Sequence, residues 1–351
     1  MSAAVQLVVP GPLDQRTGGY IYDRRVAEGL RALGWTLDVH ELAGRFPLVD
    51  EVALAAAHQA LTAMPPGSLP VIDGLALPAF CNLLQRLPQP WVALVHHPRA
   101  IETGLDPAGA AALADVERRL LAAADRVIVT SPQTRRDLAP YGVADARVGV
   151  VLPGTEPAPL ARGSAGPDVA LLCVASLTPR KGHLVLLEAL ADLGDLSWRL
   201  TCIGSPERDP ACARAIARAI ERLGLGDRVR MVGEQPEAGL QPFYDVADLF
   251  VLASHHEGYG MVLAEALARG LPIVATSAGA IPDTVPATAG LLVRPGDPPA
   301  LAAALRRLLL EPALRRDLAA GARAARARLP GWADAARAFA AELERATGVP
   351  G

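Results

Sequence analysis

The sequence predicts an α/β protein of two doubly wound, Rossmann-like domains, and three observations carry that reading. Short apolar runs recur along the chain. Each ends in a polar, glycine-bearing loop and is followed by a stretch of helical periodicity, the pattern of parallel βαβ units. Residues 157–167 are rich in proline, glycine, alanine and serine and read as a linker between a domain at 1–156 and a second at 168–330. The chain has 351 residues, 51% hydrophobic and 20% charged, enough for two domains with sizeable cores rather than a disordered polypeptide.

The first domain opens with a strand at 5–9 ending at Pro10, a glycine-rich loop at 11–19, a helix at 20–33 stopped by Gly34, and a strand at 36–41. No G-x-G-x-x-G follows the first strand, which argues against a dinucleotide enzyme. Gly18-Gly19 permits close backbone approach to a ligand, or serves as a simple turn. A helix at 51–61 and a strand at 69–73 follow, then an apolar strand at 91–95 that runs into His96-His97-Pro98. A histidine pair at the carboxyl end of a strand suits a ligand cleft, or a structural role. Arg99 and Glu102 shape a pocket or face water. A helix at 108–124, a strand at 125–130, Ser131 as a helix cap and a strand at 148–152 complete the domain.

The second domain starts with a strand at 168–175. Ser176 to Gly182 then leads into a helix at 183–193. Lys181 is the one lysine among 34 basic residues and lies at that helix start, where backbone amides and the helix dipole favour an anion. A compact ammonium suits phosphate, and Arg180 stands beside it. Strands at 198–203 and 229–232 and helices at 209–223 and 240–247 come next. The sharpest unit is a buried strand at 249–253, a polar loop at 254–260, a helix at 261–268 stopped by Gly270, and a strand at 272–276. Glu257 sits at the strand edge. Glu265 stands among Ala264, Ala266 and Leu267, where a buried carboxylate needs a partner. Either acid alone has the plainer reading of a helix cap. A strand at 290–293 and helices at 297–310, 312–328 and 332–345 end the chain.

The stretch SHHEGYGMVLAEALARGLPIVATSAG, residues 254–279, resembles the donor-site signature of retaining, nucleotide-sugar-dependent glycosyltransferases of the two-Rossmann-domain (GT-B) type, family 4 or glycosyl transferases group 1. That pattern is E-G-[FY]-G followed by a second glutamate eight residues after the first. Glu257, Gly258, Tyr259, Gly260 and Glu265 match it, and Ser254, Gly270, Pro272 and Gly279 fit its surroundings. The resemblance covers nearly the whole chain, strongly at 168–296 and diffusely before. It implies two facing Rossmann-like domains with the active site in the cleft between them, and a helix at 331–351 that crosses back to the first domain. It further implies that Glu265 binds the ribose hydroxyls, Glu257 the donor sugar, and Lys181 the diphosphate. His96, or else His97, would meet the transferred sugar, with Gly18 and Gly19 in the first glycine loop. Three departures stand out. Ser176 replaces an arginine five residues before the lysine, a charge Arg180 could supply. Pro153-Gly154-Thr155-Glu156 replaces N-G-V-D, and Asp283 replaces a glutamate.

The resemblance therefore implies sugar transfer from a UDP-, GDP- or other NDP-sugar to a hydroxyl of a glycan, lipid or small molecule, with retention at the anomeric carbon and no metal. Its alternatives are a nucleotide-sugar epimerase, a phosphorylase and a non-catalytic sugar-nucleotide-binding protein. A formal net charge of -3 gives no sign of nucleic-acid binding. Cys81, Cys173, Cys202 and Cys212 show no metal-ligand spacing and fit buried thiols in a reducing compartment. The N-terminus lacks a basic region followed by a long apolar one, and no uncharged apolar run is long enough to span a bilayer. A cytoplasmic protein is expected. The arginines of the last helix are either a solvated face or a weak attraction to an anionic membrane surface.

Overall fold

The computed structural model describes residues 4–84 and 89–348. The chain divides into two compact units, residues 1–154 with 330–351, and residues 155–329. In the first, β1 (Val5–Pro10), α1 (Gly18–Ala32), β2 (Leu37–Leu42), α2 (Glu51–Ala63), β3 (Leu69–Asp73), β4 (Val92–Val95), α3 (Pro107–Ala123), β5 (Arg126–Val129), α4 (Pro132–Asp137) and β6 (Val148–Val150) follow in order. In the second come β7 (Val169–Val174), α5 (His183–Ala191), β8 (Trp198–Ile203), α6 (Pro210–Arg222), β9 (Val229–Gly233), α7 (Gln241–Asp245), β10 (Leu249–Leu252), α8 (Met261–Ala268), β11 (Ile273–Thr276), α9 (Ile281–Thr284), β12 (Gly290–Val293), α10 (Pro298–Leu310) and α11 (Pro312–Arg326). Helix α12 (Trp332–Thr347) belongs to the first unit.

Each unit is built on one six-stranded sheet, β2-β1-β3-β4-β5-β6 and β12-β11-β10-β7-β8-β9. Every strand pair is parallel. Both orders reverse direction next to the first strand of the unit, so each sheet has a switch point where neighbouring strands send their chains to opposite faces. The central strands β1, β3, β4 and β10 are buried along their whole length, as sheets covered on both faces require.

Local chemistry explains where the helices begin. Asp50, Asp106, Ser131, Asp209 and Asp297 each accept a hydrogen bond from the backbone N–H three residues on. The aspartates read from sequence as the first helical residues at 209 and 297 are therefore N-caps, each with proline next in the chain. Two larger differences matter for the site. Gly18 and Gly19, expected in a loop, form the first turn of α1, with Thr17 as the N-cap. The expected linker at 157–167 contains no helix or strand but is bonded to the second unit. Ala161 N donates to Arg269 O, Arg162 N and Gly163 N to Asp245 O, and Ser164 N to Asp248 Oδ1.

Helix α12 closes the core of the first unit, where Phe339 and Leu343 join Val5, Leu7, Val9 and Tyr22. Its buried Glu342 accepts from Arg126 Nε of β5 at 2.5 Å and also pairs with Arg345. Arg337 pairs with Asp334 one turn earlier. Each of these two arginines is thus paired with an acid of its own helix. Among the described residues, no helix is long and apolar enough to cross a membrane.

Candidate active site

The second unit gathers its charged groups at the carboxyl ends of β7 and β10. The segment from Ser176 to Gly182 joins β7 to α5, and its backbone is tied to the loop after β10 by His255 N donating to Arg180 O at 2.7 Å. Gly182 lies in the left-handed region at φ +66°, and a Cβ there would fall 2.0 Å from Ala253 O. Only glycine allows the two loops to touch so closely. The result is a four-residue cluster. Lys181 Nζ donates to Glu257 Oε1 at 2.6 Å, Ser254 Oγ donates to the same oxygen at 2.6 Å, and Arg180 Nη1 lies 3.6 Å from Glu257 Oε2. Arg180 also donates to His256 O at 2.9 Å. On the other side, Ala280 N donates to Glu257 O at 2.8 Å, and a Cβ on Gly279 would meet that carbonyl at 2.2 Å.

Glu257 is 5% exposed. Burial pushes its carboxyl up, but Lys181 and Arg180 pull harder in the other direction and hold it at about 2. The sign follows from linkage. A depressed carboxylate contributes stability above its ordinary 4.5 and loses it as pH falls through about 2. Urea unfolding compared at pH 5 and pH 2.5 should therefore show wild type losing about 2 kcal/mol more than Glu257→Gln. Equal losses would mean that the ion pair carries no net stabilisation.

Glu265 has the partner its apolar neighbours demand. It accepts from the phenol of Tyr244 at 2.9 Å, while the Arg269 guanidinium lies 4.2 Å above the Tyr244 ring and donates to Glu265 O. Burial raises the Glu265 carboxyl and Tyr244 opposes that shift. Gly260 caps α8 in the left-handed region, and Tyr259 is buried with its carbonyl accepting from Thr284 Oγ1. Gly258 is half-buried. Asp283 lies in the short helix α9.

In the first unit, His96 follows β4 and points Nε2 at two carboxylates, Asp23 Oδ1 at 3.0 Å and Asp73 Oδ2 at 3.1 Å. Its ring meets Tyr22 edge-on, and a Cβ on Gly19 would lie 3.3 Å from His96 Cδ2. Gly19 is thus where α1 makes room for the imidazole. Thr130 and Thr134 hydroxyls donate to His96 O. Burial pulls the imidazole down, but Asp23 and Asp73 raise it further, to about 10. Burial lifts Asp23 to about 6 against the attraction of His96. Asp23, Asp73 and His96 thus form a charge cluster of one imidazole between two buried carboxylates. His97 is buried, with Nε2 3.0 Å from Glu102 Oε2.

Sequence reasoning singled out Lys181, Arg180, Glu257, Glu265, His96 and Gly19 but not Asp23, Asp73 or the partnership of Tyr244 with Glu265. Asp73 ends a buried strand before Gly74, a position that marks it. Asp23 is a lone acid on the apolar side of α1, a weaker signal.

Two successive units with all-parallel, doubly wound sheets define the GT-B class. Residues 168–311 match the family model described as "Glycosyl transferases group 1", and residues 68–158 match "Glycosyltransferase Family 4". The chain belongs to the group 1/family 4 type of GT-B glycosyltransferases. It is 36% identical over 244 residues to the D-inositol 3-phosphate glycosyltransferase of Streptosporangium roseum, covering 63% of this chain and 55% of that protein. To the protein of the same name from Kineococcus radiotolerans it is 35% identical over 259 residues, covering 66% and 59%. The chain spans little more than half the length of these relatives. Among solved structures it is similar to sucrose-phosphate synthase from Thermosynechococcus elongatus, with a TM-score of 0.83, 26% identity, and 97% and 98% of the two chains covered. It shares its fold with Anabaena HepE, solved in complex with UDP-glucose, at a TM-score of 0.77 and 17% identity over 97% and 99% of the chains.

Proposed function

We propose that this protein transfers a sugar from a nucleotide-sugar to a hydroxyl acceptor with retention at the anomeric carbon. The observation that carries the reading is the convergence of Arg180 and Lys181 on Glu257 at the carboxyl ends of β7 and β10, where doubly wound sheets bind ligands. Lys181 and the amides at the start of α5 stabilise charge as the nucleoside diphosphate departs. Glu257 fixes the Lys181 ammonium and offers its remaining acceptor capacity to the donor sugar. Glu265 receives the ribose hydroxyls, oriented by Tyr244. His96, held as an imidazolium by Asp23 and Asp73, serves the transferred sugar through Nδ1. In this reading the departing phosphate takes the acceptor proton, and no residue cluster at these positions requires a metal.

The donor is a nucleoside diphosphate sugar, a reading supported by the UDP-glucose complex of a protein of the same fold. The names of the curated relatives make inositol 3-phosphate a first acceptor to try. A donor of this kind supports a cytoplasmic reaction. A screen of nucleotide-sugars for a rise in melting temperature tests the binding half of the reading. One base and sugar should stabilise the folded chain, and no response to any of them would remove the donor assignment.

Glu265→Gln should weaken both the free nucleoside diphosphate and the whole donor by roughly 10- to 100-fold, the worth of a charge-assisted hydrogen bond. Calorimetry on the two ligands checks this. An unchanged affinity for free diphosphate would take the ribose away from Glu265.

A further inference from the structure

A second cluster of chemistry-bearing side chains lies inside the second unit. Cys173 of β7 and Cys202 of β8 are register partners on adjacent parallel strands, so both sulfurs project from the same face of the sheet. His183, the first residue of α5, packs over that face, and donor atoms of all three residues lie within 4.8 Å of one another. Their exposures are 1%, 2% and 3%, so the group is sealed from solvent. Neither ring nitrogen of His183 has a hydrogen-bond partner of acceptable geometry. A buried imidazole with two unsatisfied nitrogens costs stability unless something binds it.

We propose that Cys173, Cys202 and His183 form a binding site for a divalent soft metal ion, Zn²⁺, that pins β7, β8 and the start of α5 together. Thiolate and imidazole are the donors such an ion prefers. Zinc bonds of about 2.3 Å to sulfur and about 2.0 Å to nitrogen put neighbouring donors roughly 3.5–4 Å apart, so small side-chain movements close the shell. On binding, both thiols lose their protons to solvent, and two thiolates with one Zn²⁺ make a site of no net charge. That neutrality favours a divalent ion over a monovalent one in an apolar interior. Three protein donors leave one position for a water or small ligand. No regular spacing marks this site, because its donors come from two strands and a helix rather than from one local motif.

The experiment uses the full chain, reduced and stripped with a chelator, titrated with Co²⁺ and then Zn²⁺. Wild type should take up one Co²⁺ with a sulfur-to-cobalt charge-transfer band, lose the band on adding Zn²⁺, and melt at a higher temperature with Zn²⁺ present. Cys202→Ala and His183→Gln should lose the band and the thermal gain. A Cys81→Ser/Cys212→Ser double variant should keep both. Folding of each variant is verified by far-ultraviolet circular dichroism, and two independent site variants guard against one of them failing to fold. The absence of a band in wild type, its persistence in Cys202→Ala, or its loss in the Cys81/Cys212 variant would overturn the proposal. So would a Cys173–Cys202 disulfide in the chain purified without reductant together with no metal uptake after reduction.

Discussion

Lys181→Ala is expected to lower turnover by about 100- to 1,000-fold, the usual effect of removing one preorganised group that meets charge developing in the transition state. Lys181 is the one lysine in a chain whose other basic residues are all arginine, and its ammonium lies 2.6 Å from the buried Glu257 carboxylate. That pairing alters what stability should do. A lysine facing solvent could be removed without cost, whereas loss of Lys181 leaves the buried Glu257 without its ammonium partner, beside Arg180 and Ser254. Lys181→Ala should therefore be less stable than wild type by about 3 kcal/mol and melt lower, and turnover must be measured well below its transition. Lys181→Arg separates charge from shape. The guanidinium is a planar fork and the ammonium a compact point, so arginine in this tight pairing should also turn over slowly. Wild-type turnover in Lys181→Arg would show that positive charge alone suffices. Wild-type turnover in Lys181→Ala would take the residue out of the mechanism.

His96→Ala should cut turnover by about 100-fold while donor affinity stays within about twofold, the signature of an interaction made chiefly in the transition state. Unchanged turnover at saturating acceptor would make His96 structural. Asp73→Asn supplies a readout that packing would not move. The two aspartates raise His96 to about 10, so its imidazolium, and the stability it brings, is complete below the ordinary 6.5 and lost as pH rises through about 10. Removing one carboxylate must lower that midpoint. The alkaline limb of the pH–rate profile should shift to lower pH in Asp73→Asn, and an unmoved limb would exclude the imidazolium as the working form.

The architecture was legible because parallel sheets announce themselves. β3, β4, β10 and β11 are apolar runs bounded by turn residues, and Ser131 caps α4 as its place after β5 suggests. Boundaries moved where a side chain took a backbone N–H, as at Asp209 and Asp297. Gly18 and Gly19 misled because two glycines suggest a loop, yet both lie in the first turn of α1, where Gly19 leaves room for His96. The contacts of Glu257, Glu265 and Lys181 lay near stretches that the sequence marks, since Glu257 and Glu265 share one local unit and Lys181 precedes a helix. The Asp23–Asp73–His96 trio and the Cys173–His183–Cys202 cluster were not. Each joins residues from three separate elements, and only strand order and register bring them together.

The most direct test of retaining transfer is to follow the anomeric proton by NMR. The donor that stabilises the protein is incubated with the chain in the presence and absence of a hydroxyl acceptor. The account predicts a new glycosidic product whose anomeric configuration matches that of the sugar in the donor, formed only when acceptor is present and accompanied by release of nucleoside diphosphate. A product of inverted configuration would contradict the retaining mechanism, and a rearranged nucleotide-sugar formed without acceptor would contradict transfer itself.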